Sequence, residues 1–293
     1  MAVATYVFVD LETTGLPSEE INRTKITELS MVAVKREHLL DTKAGATPRV
    51  QNKLTLCFNP CRLVQPGSTQ TTGLCNDLLE HETRFNLDAY GVIISFLKVL
   101  AKPVCLIAQN GHRFDFPIIK NHLEKLHVSF PSDLLCADSL YAFFDILETN
   151  SSRTNLDEDK TKQHSDTKKK ESVSEDVNNQ LTMQEINETT PKHQKIVKSD
   201  VQKFIERRKL SKVRRKCLWG DNKSKPKHSY KLKNIYERVL KRSCIEAHRA
   251  ENDCIMTLEV STAMADKFVK WVDNNHCFFT EVKPMTIGIP LGE

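Results

Sequence analysis

Residues 5–9, Thr-Tyr-Val-Phe-Val, narrow the possible folds more than any other stretch. Five consecutive β-branched, aliphatic or aromatic residues leave no polar face, so the run reads as a strand buried on both sides in the middle of a sheet. Similar short apolar segments predict strands at 26–34, 54–58, Val104–Ala108 and 134–137. Helical spacings lie between and after them. Leu87, Tyr90, Ile94 and Leu97 predict a helix over 86–100. Pro117 suits a first helical turn, so a second helix should start near Asp115 and run to about Leu126. Others are expected through Leu140, Phe144 and Leu147, at Leu232–Leu240, and as one long helix over 251–272. No internal repeat is present. Strands alternating with helices indicate an α/β layer fold.

The pattern stops between residues 151 and 228. Residues 151–198 are rich in Ser, Thr, Asn, Lys and Glu and have no apolar periodicity, so they bury too little surface to offset their ordering entropy. Residues 201–215 form a basic stretch that could become helical against a partner. The segment holds 20 of the 43 basic residues and 12 of the 38 acidic ones, leaving 23 basic and 26 acidic residues elsewhere. A formal net charge of +5 therefore hides a near-neutral body and a strongly basic insertion. The expected organisation is one α/β domain in two parts, 1–150 and 229–293, with a disordered Lys-rich insertion at 151–228 between them.

Several classes are excluded. No apolar run approaches the roughly 20 residues of a membrane helix; the best, around 92–100, is broken by Ser95 and Lys98. The N-terminus lacks a basic leader region, and Asp10 and Glu12 interrupt its apolar stretch, so no secretory signal is expected. Nine cysteines without a C-x-x-C pair suit a reducing intracellular compartment and buried thiols. Cys57 and Cys61 are spaced like half a zinc site, but no second half follows.

Three acidic clusters stand out. Asp10-Leu11-Glu12 lies just past the first strand, and residues i and i+2 of an extended chain point to one side. Gly15 and Pro17 then turn the chain away at the carboxyl end of a strand, where open α/β sheets bind ligands. Like charges held this close repel unless a cation lies between them, and an all-oxygen donor set suits Mg²⁺ or Mn²⁺ rather than zinc. Asp115 follows a buried strand in Asn-Gly-His-Arg-Phe-Asp, which reads equally as a helix N-cap. His248 and Asp253 enter the last predicted helix, His248 from the loop and Asp253 in the first turn. Taken singly, each cluster also fits a solvated strand end or helix start.

Together the order D-x-E, Asn-Gly-x-x-x-Asp, His-x₄-Asp is that of the DEDDh exonucleases. The resemblance is closer than that. FVDLETTGLP (8–17), CFNPCRLVQPGSTQTTGL (57–74), CLIAQNGHRFDFPII (105–119), CADSL (136–140), HSYKLKNIYERVL (228–240), AHRAENDC (247–254) and FVKWVD…VKPM (268–285) resemble the three-prime repair exonucleases, the TREX family. The match covers most of 5–147 and 228–286.

The resemblance implies an RNase H-like central mixed sheet flanked by helices, and hydrolysis of DNA from its 3′ ends, mainly single-stranded, with two Mg²⁺ ions or Mn²⁺ in their place. It implies that Asp10, Glu12, Asp115 and Asp253 hold the metals and that His248 is the general base, a role suited to an unperturbed imidazole pKa of about 6.5. Glu12, Thr13 (through its backbone), Leu16, Phe114 and Asp253, with the turn at 71–74, would meet the terminal nucleotides. Leu16 and Thr71 are uncharged, which suits contacts tolerant of any base. Phe114 stands where the family commonly has tyrosine, and Gln109 where it has histidine.

The insertion is longer than the basic loop expected from the family. Three readings stand open: a phosphate-contacting tether, a solvated loop, or a nuclear localisation signal at 207–209 and 212–216. The chain ends soon after Met285, as in the branch of the family without a membrane tail, which implies homodimerisation through an edge strand, no membrane attachment and a nuclear or cytoplasmic location. Rival readings are an RNA-trimming DEDDh nuclease, a polymerase-bound proofreading subunit, and an end-binding protein without catalysis. The last predicts a missing catalytic residue, and all five are present.

Overall fold

In the computed structural model, residues 2–148, 228–244, 246, 248–286 and 288 are described. Six strands form one mixed sheet: β1 Thr5–Thr13, β2 Ile26–Lys35, β3 Asn52–Cys57, β4 Val104–Ala108, β5 Leu135–Asp138 and β6 Cys277–Phe278, in the order β3-β2-β1-β4-β5-β6. β1 pairs antiparallel with β2 and parallel with β4; β4 and β5 are parallel, while β2–β3 and β5–β6 are antiparallel. This is the expected RNase H-like arrangement, a mixed sheet with helices on both faces.

Nine α-helices are described: α1 Arg36–Leu40, α2 Pro66–Thr72, α3 Asn76–Leu79, α4 Leu87–Lys98, α5 Asp115–Lys125, α6 over 139–148, α7 Leu232–Leu240, α8 Ala250–Thr262 and α9 Ala265–Asn275. On one face, Val7, Val9 and Leu11 of β1 pack with Ile93 and Leu97 of α4 and with Phe116, Ile119 and Leu123 of α5. On the other, Tyr6 and Phe8 pack with Phe143 of α6, Ile235 of α7, Leu258 of α8 and Phe268 of α9. Each face is apolar because each is covered, and this explains the unbroken apolar run of β1.

The strand period places Asp10 and Glu12 in phase with Tyr6 and Phe8, toward the α8 face. α8 is buried almost all round, and its small residues let it lie close to the sheet: the Cys254 thiol donates to the Phe8 carbonyl at 3.3 Å. Tyr236 of α7 and Arg242 hold α8 from outside, donating to Glu259 at 2.7 and 2.5 Å.

The structure corrects several expectations. Asp10 and Glu12 belong to β1 rather than following it, because the strand stays paired with β2 as far as Thr13. The long helix expected over 251–272 is two, α8 and α9. The Ser261 hydroxyl donates to the Thr257 carbonyl and that of Thr262 to Glu259 and Ala46, and the helix ends at Ala263 where these side chains compete for backbone acceptors. The 71–74 segment is the end of α2, stopped by Gly73 in the left-handed region, rather than a free turn. α1, α2, α3 and β6 are too short to leave a periodic signal. The expectations for the insertion fall on 149–227, outside the described residues.

Candidate active site

The carboxyl ends of β1 and β4 lie side by side, and three distant segments deliver acids there. β1 brings Asp10 and Glu12. The turn after β4 brings Asp115, the first residue of α5. This turn closes because position 111 has no side chain: a Cβ there would lie 2.6 Å from that of Ala108 and 2.8 Å from the Phe116 ring. Asp138, buried at the end of β5, anchors the turn by accepting from the amides of Asn110 at 3.0 Å and His112 at 3.1 Å. α8 brings Asp253 in its first turn.

Burial and mutual repulsion govern these acids. Asp10 is pushed well above the usual carboxylate range, first by burial and then by Asp115, Asp253, Glu12 and Glu28. Glu12 is raised to about 8 by burial, with Asp253, Glu28 and Asp115 adding to it. Asp115, only 1% exposed, is raised by burial against the opposing pull of its own amide and that of Leu11. Asp253 is raised by burial and by Glu28, and lowered by the amide and imidazole of His248.

His248 sits in the loop before α8, exposed, with its backbone in the left-handed region at φ 67°. Its amide donates to Asp253 Oδ2 at 3.0 Å. Ligand atoms of Glu12, His248 and Asp253 all fall within 4.8 Å of one another. Glu12, His248 and Asp253 therefore meet, and Asp10 and Asp115 lie near enough to act electrostatically on the same acids. Asp115 Oδ1 is buried with no hydrogen-bond partner. An orphaned carboxylate oxygen among four mutually repelling acids fits a divalent-cation site built from oxygen donors.

The outer candidates divide. Leu16, in the segment that follows β1, has 53% of its surface exposed. Phe114 is only half-buried but packs against the core, at the N-cap of α5. Thr13 is buried; its hydroxyl donates to the Gly15 carbonyl at 3.1 Å and its own carbonyl accepts from the Ser68 hydroxyl, so that oxygen already has a partner. Gln109 has a structural task here, accepting from Ser139 at 2.7 Å and donating to the Tyr230 carbonyl at 3.1 Å. Cys57 and Cys61 join no group of three candidate ligands among the described residues.

Sequence reasoning missed Glu28. In the β1–β2 register it lies directly opposite Glu12, and its Oε2 accepts the Ala250 amide at the start of α8 at 3.0 Å. The available signal was an acid inside an otherwise apolar strand, Ile-Thr-Glu-Leu-Ser.

No family model matches the chain. Among curated proteins, it is 28% identical to three-prime repair exonuclease 1 of Bos taurus over 97% of this chain and 71% of that protein. It is 40% identical to three prime repair exonuclease 2 of Homo sapiens over 47% of this chain and 60% of that protein. Among solved structures, an E. coli exonuclease I–single-stranded DNA complex aligns over 92% of this chain and 43% of that one, at 15% identity and a TM-score of 0.47. Cell-death related nuclease 4 aligns over 90% and 64%, at 11% identity and a TM-score of 0.49. The class is that of the exonucleases. Within it, the chain is similar to the three-prime repair exonucleases along nearly its whole length.

Proposed function

We propose that this chain is a divalent-metal-dependent 3′→5′ DNA exonuclease that releases mononucleotides from single-stranded and frayed double-stranded ends. The observation that carries the reading is the convergence of Asp10, Glu12, Asp115 and Asp253 from three separate segments, each pushed toward protonation, with His248 at the rim.

The four acids would hold two Mg²⁺ ions, or Mn²⁺ in their place. Bound there, such ions neutralise charge on the non-bridging phosphate oxygens and stabilise the departing 3′-oxygen. The remaining work falls to the protein. His248, open to solvent, takes the proton of the attacking water through an imidazole nitrogen. Asp253 holds the His248 amide, and Glu28 holds that of Ala250, so both sides of the histidine loop are fixed relative to the acids. Glu28 is thus a positioning residue. Exposed Leu16 packs on the terminal base, and the Phe114 ring packs on sugar or base through its exposed part. Neither reads a base edge, so sequence preference is weak.

A homodimer joined at β3 belongs to the same proposal. β3 is an outer strand of six residues without proline, whereas the opposite outer strand, β6, has two. We place the enzyme in the nucleus or cytoplasm, where nine cysteines remain reduced.

Digestion of 5′-labelled and 3′-labelled single strands, DNA beside RNA, tests the reading. The 3′ label should leave at once as mononucleotide, the 5′ label should give a shortening ladder, and chelator should stop both. Release from the 5′ end, indifference to chelator, or faster trimming of RNA contradicts it.

A further inference from the structure

A second cluster of ligands, of different chemistry, lies between the turn that carries Asp115 and the far edge of the sheet. Cys136 of β5 and Cys277 of β6 are directly opposed in the antiparallel register, with their sulfur atoms 3.5 Å apart. Ligand atoms of His112, Cys136 and Cys277 all lie within 4.8 Å of one another. His112 is delivered by the backbone, since its own amide and that of Asn110 are pinned to Asp138. Its Nδ1 is buried and has no hydrogen-bond partner. The ring stands edge-on to Phe116, with centroids 5.4 Å apart, and Phe116, Cys136 and Cys277 belong to the apolar core on that side of the sheet. A buried imidazole nitrogen without a partner is costly unless something coordinates it.

Two thiols and one imidazole are soft and borderline donors, unlike the carboxylates of the active site. Zinc bonds of about 2.3 Å to sulfur and about 2.0–2.1 Å to nitrogen set donor–donor edges of roughly 3.3–3.8 Å in a tetrahedron. The sulfur–sulfur separation of 3.5 Å is a little inside the roughly 3.8 Å edge that two such zinc–sulfur bonds set, so a small outward shift of the thiols accommodates the ion. Cys277 is half-buried on the two-residue outer strand, which leaves a path from solvent.

We propose that His112, Cys136 and Cys277 bind one thiophilic divalent metal ion, zinc by preference, with water in the fourth position. The two cysteines bind as thiolates and release their protons to solvent. The ion joins β5, β6 and the turn between β4 and α5, so it braces the segment that positions Asp115 without touching the carboxylate cluster. The inference stands on this geometry and is independent of the reaction proposed above.

Cobalt(II) titration of the full-length, reduced protein tests it, with zinc as competitor. Thiolate ligation gives sulfur-to-cobalt charge-transfer absorption, which an all-oxygen site cannot. One equivalent of cobalt should produce that band and one of zinc should remove it. His112→Gln and Cys277→Ala, on different elements, should each weaken cobalt binding at least tenfold while Mn²⁺ binding is kept. Cys61→Ala should leave the band intact. An unchanged band in both site variants, a band lost with Cys61→Ala, or a Cys136–Cys277 disulfide persisting in the reduced protein overturns the proposal.

Discussion

Asp115 and His112 leave the same turn three positions apart and enter opposite chemical settings. Asp115 meets oxygen donors, all acidic, whose burial and then mutual repulsion raise their affinity for protons. His112 meets two sulfur atoms in an apolar pocket. One short segment thus faces a cluster of carboxylates on one side and a soft-donor cluster on the other, and Asp138 fixes both by holding its amides. The difference teaches that ligand type, more than position in the fold, separates the two clusters: on the proposed readings divalent ions should distribute between them by softness.

The sharpest way to break the comparison is to disable one side alone. Asp10→Asn should lower nucleotide release by about 10³-fold or more, given the several kcal/mol that charge stabilisation contributes and about 1.4 kcal/mol per decade of rate. Cobalt uptake at the thiol cluster should be unaffected. Loss of both together would mean one site rather than two. Next in size, His248→Ala should slow release by about 10²–10⁴-fold with DNA affinity kept, measured by single-turnover digestion beside equilibrium binding.

The acids should also show themselves in stability. Glu12 keeps its proton up to about 8 in the folded chain, against 4.5 when unfolded. Between those values the folded state binds more protons, so metal-free stability falls as pH rises and levels off above about 8. Melting in chelator should therefore weaken from pH 5 to 8, Mg²⁺ should restore it, and Glu12→Gln should flatten the slope by a few kcal/mol at most.

His122, buried in α5 against Phe85, works in the other direction. Burial lowers it from 6.5 to about 4, so the unfolded chain takes up protons first and stability is lost as pH falls through that range. In His122→Leu the acid-side loss should shrink while the alkaline slope stays. The smallest effect belongs to the rim: Leu16→Ala should raise KM up to about tenfold, roughly the 1.4 kcal/mol of one decade, with kcat nearly unchanged.

Much of the candidate active site was legible because its residues carry rare chemistry at fixed offsets. D-x-E in a strand end, an aspartate at a helix start and His-x₄-Asp each imply their own placement. The strands around them were legible for the same reason that they are buried: β1 and β4 have no polar face. What escaped detection depends on pairing across the sheet. Glu28 acquires meaning only when the β1–β2 register sets it opposite Glu12. Cys136 and Cys277 are 141 positions apart and look unrelated until β6, two residues long, closes on β5. The α8–α9 break also escaped, because hydroxyl-to-carbonyl bonds rather than a proline or glycine end the helix. Periodicity reports which face is apolar, and it is silent on which strand lies alongside.

Counting manganese tests the central claim most directly. Equilibrium titration of Mn²⁺, read by its paramagnetic resonance, should give two ions per wild-type chain and fewer than one in Asp10→Asn. Two ions bound equally well by both proteins would contradict a shared metal site at these carboxylates.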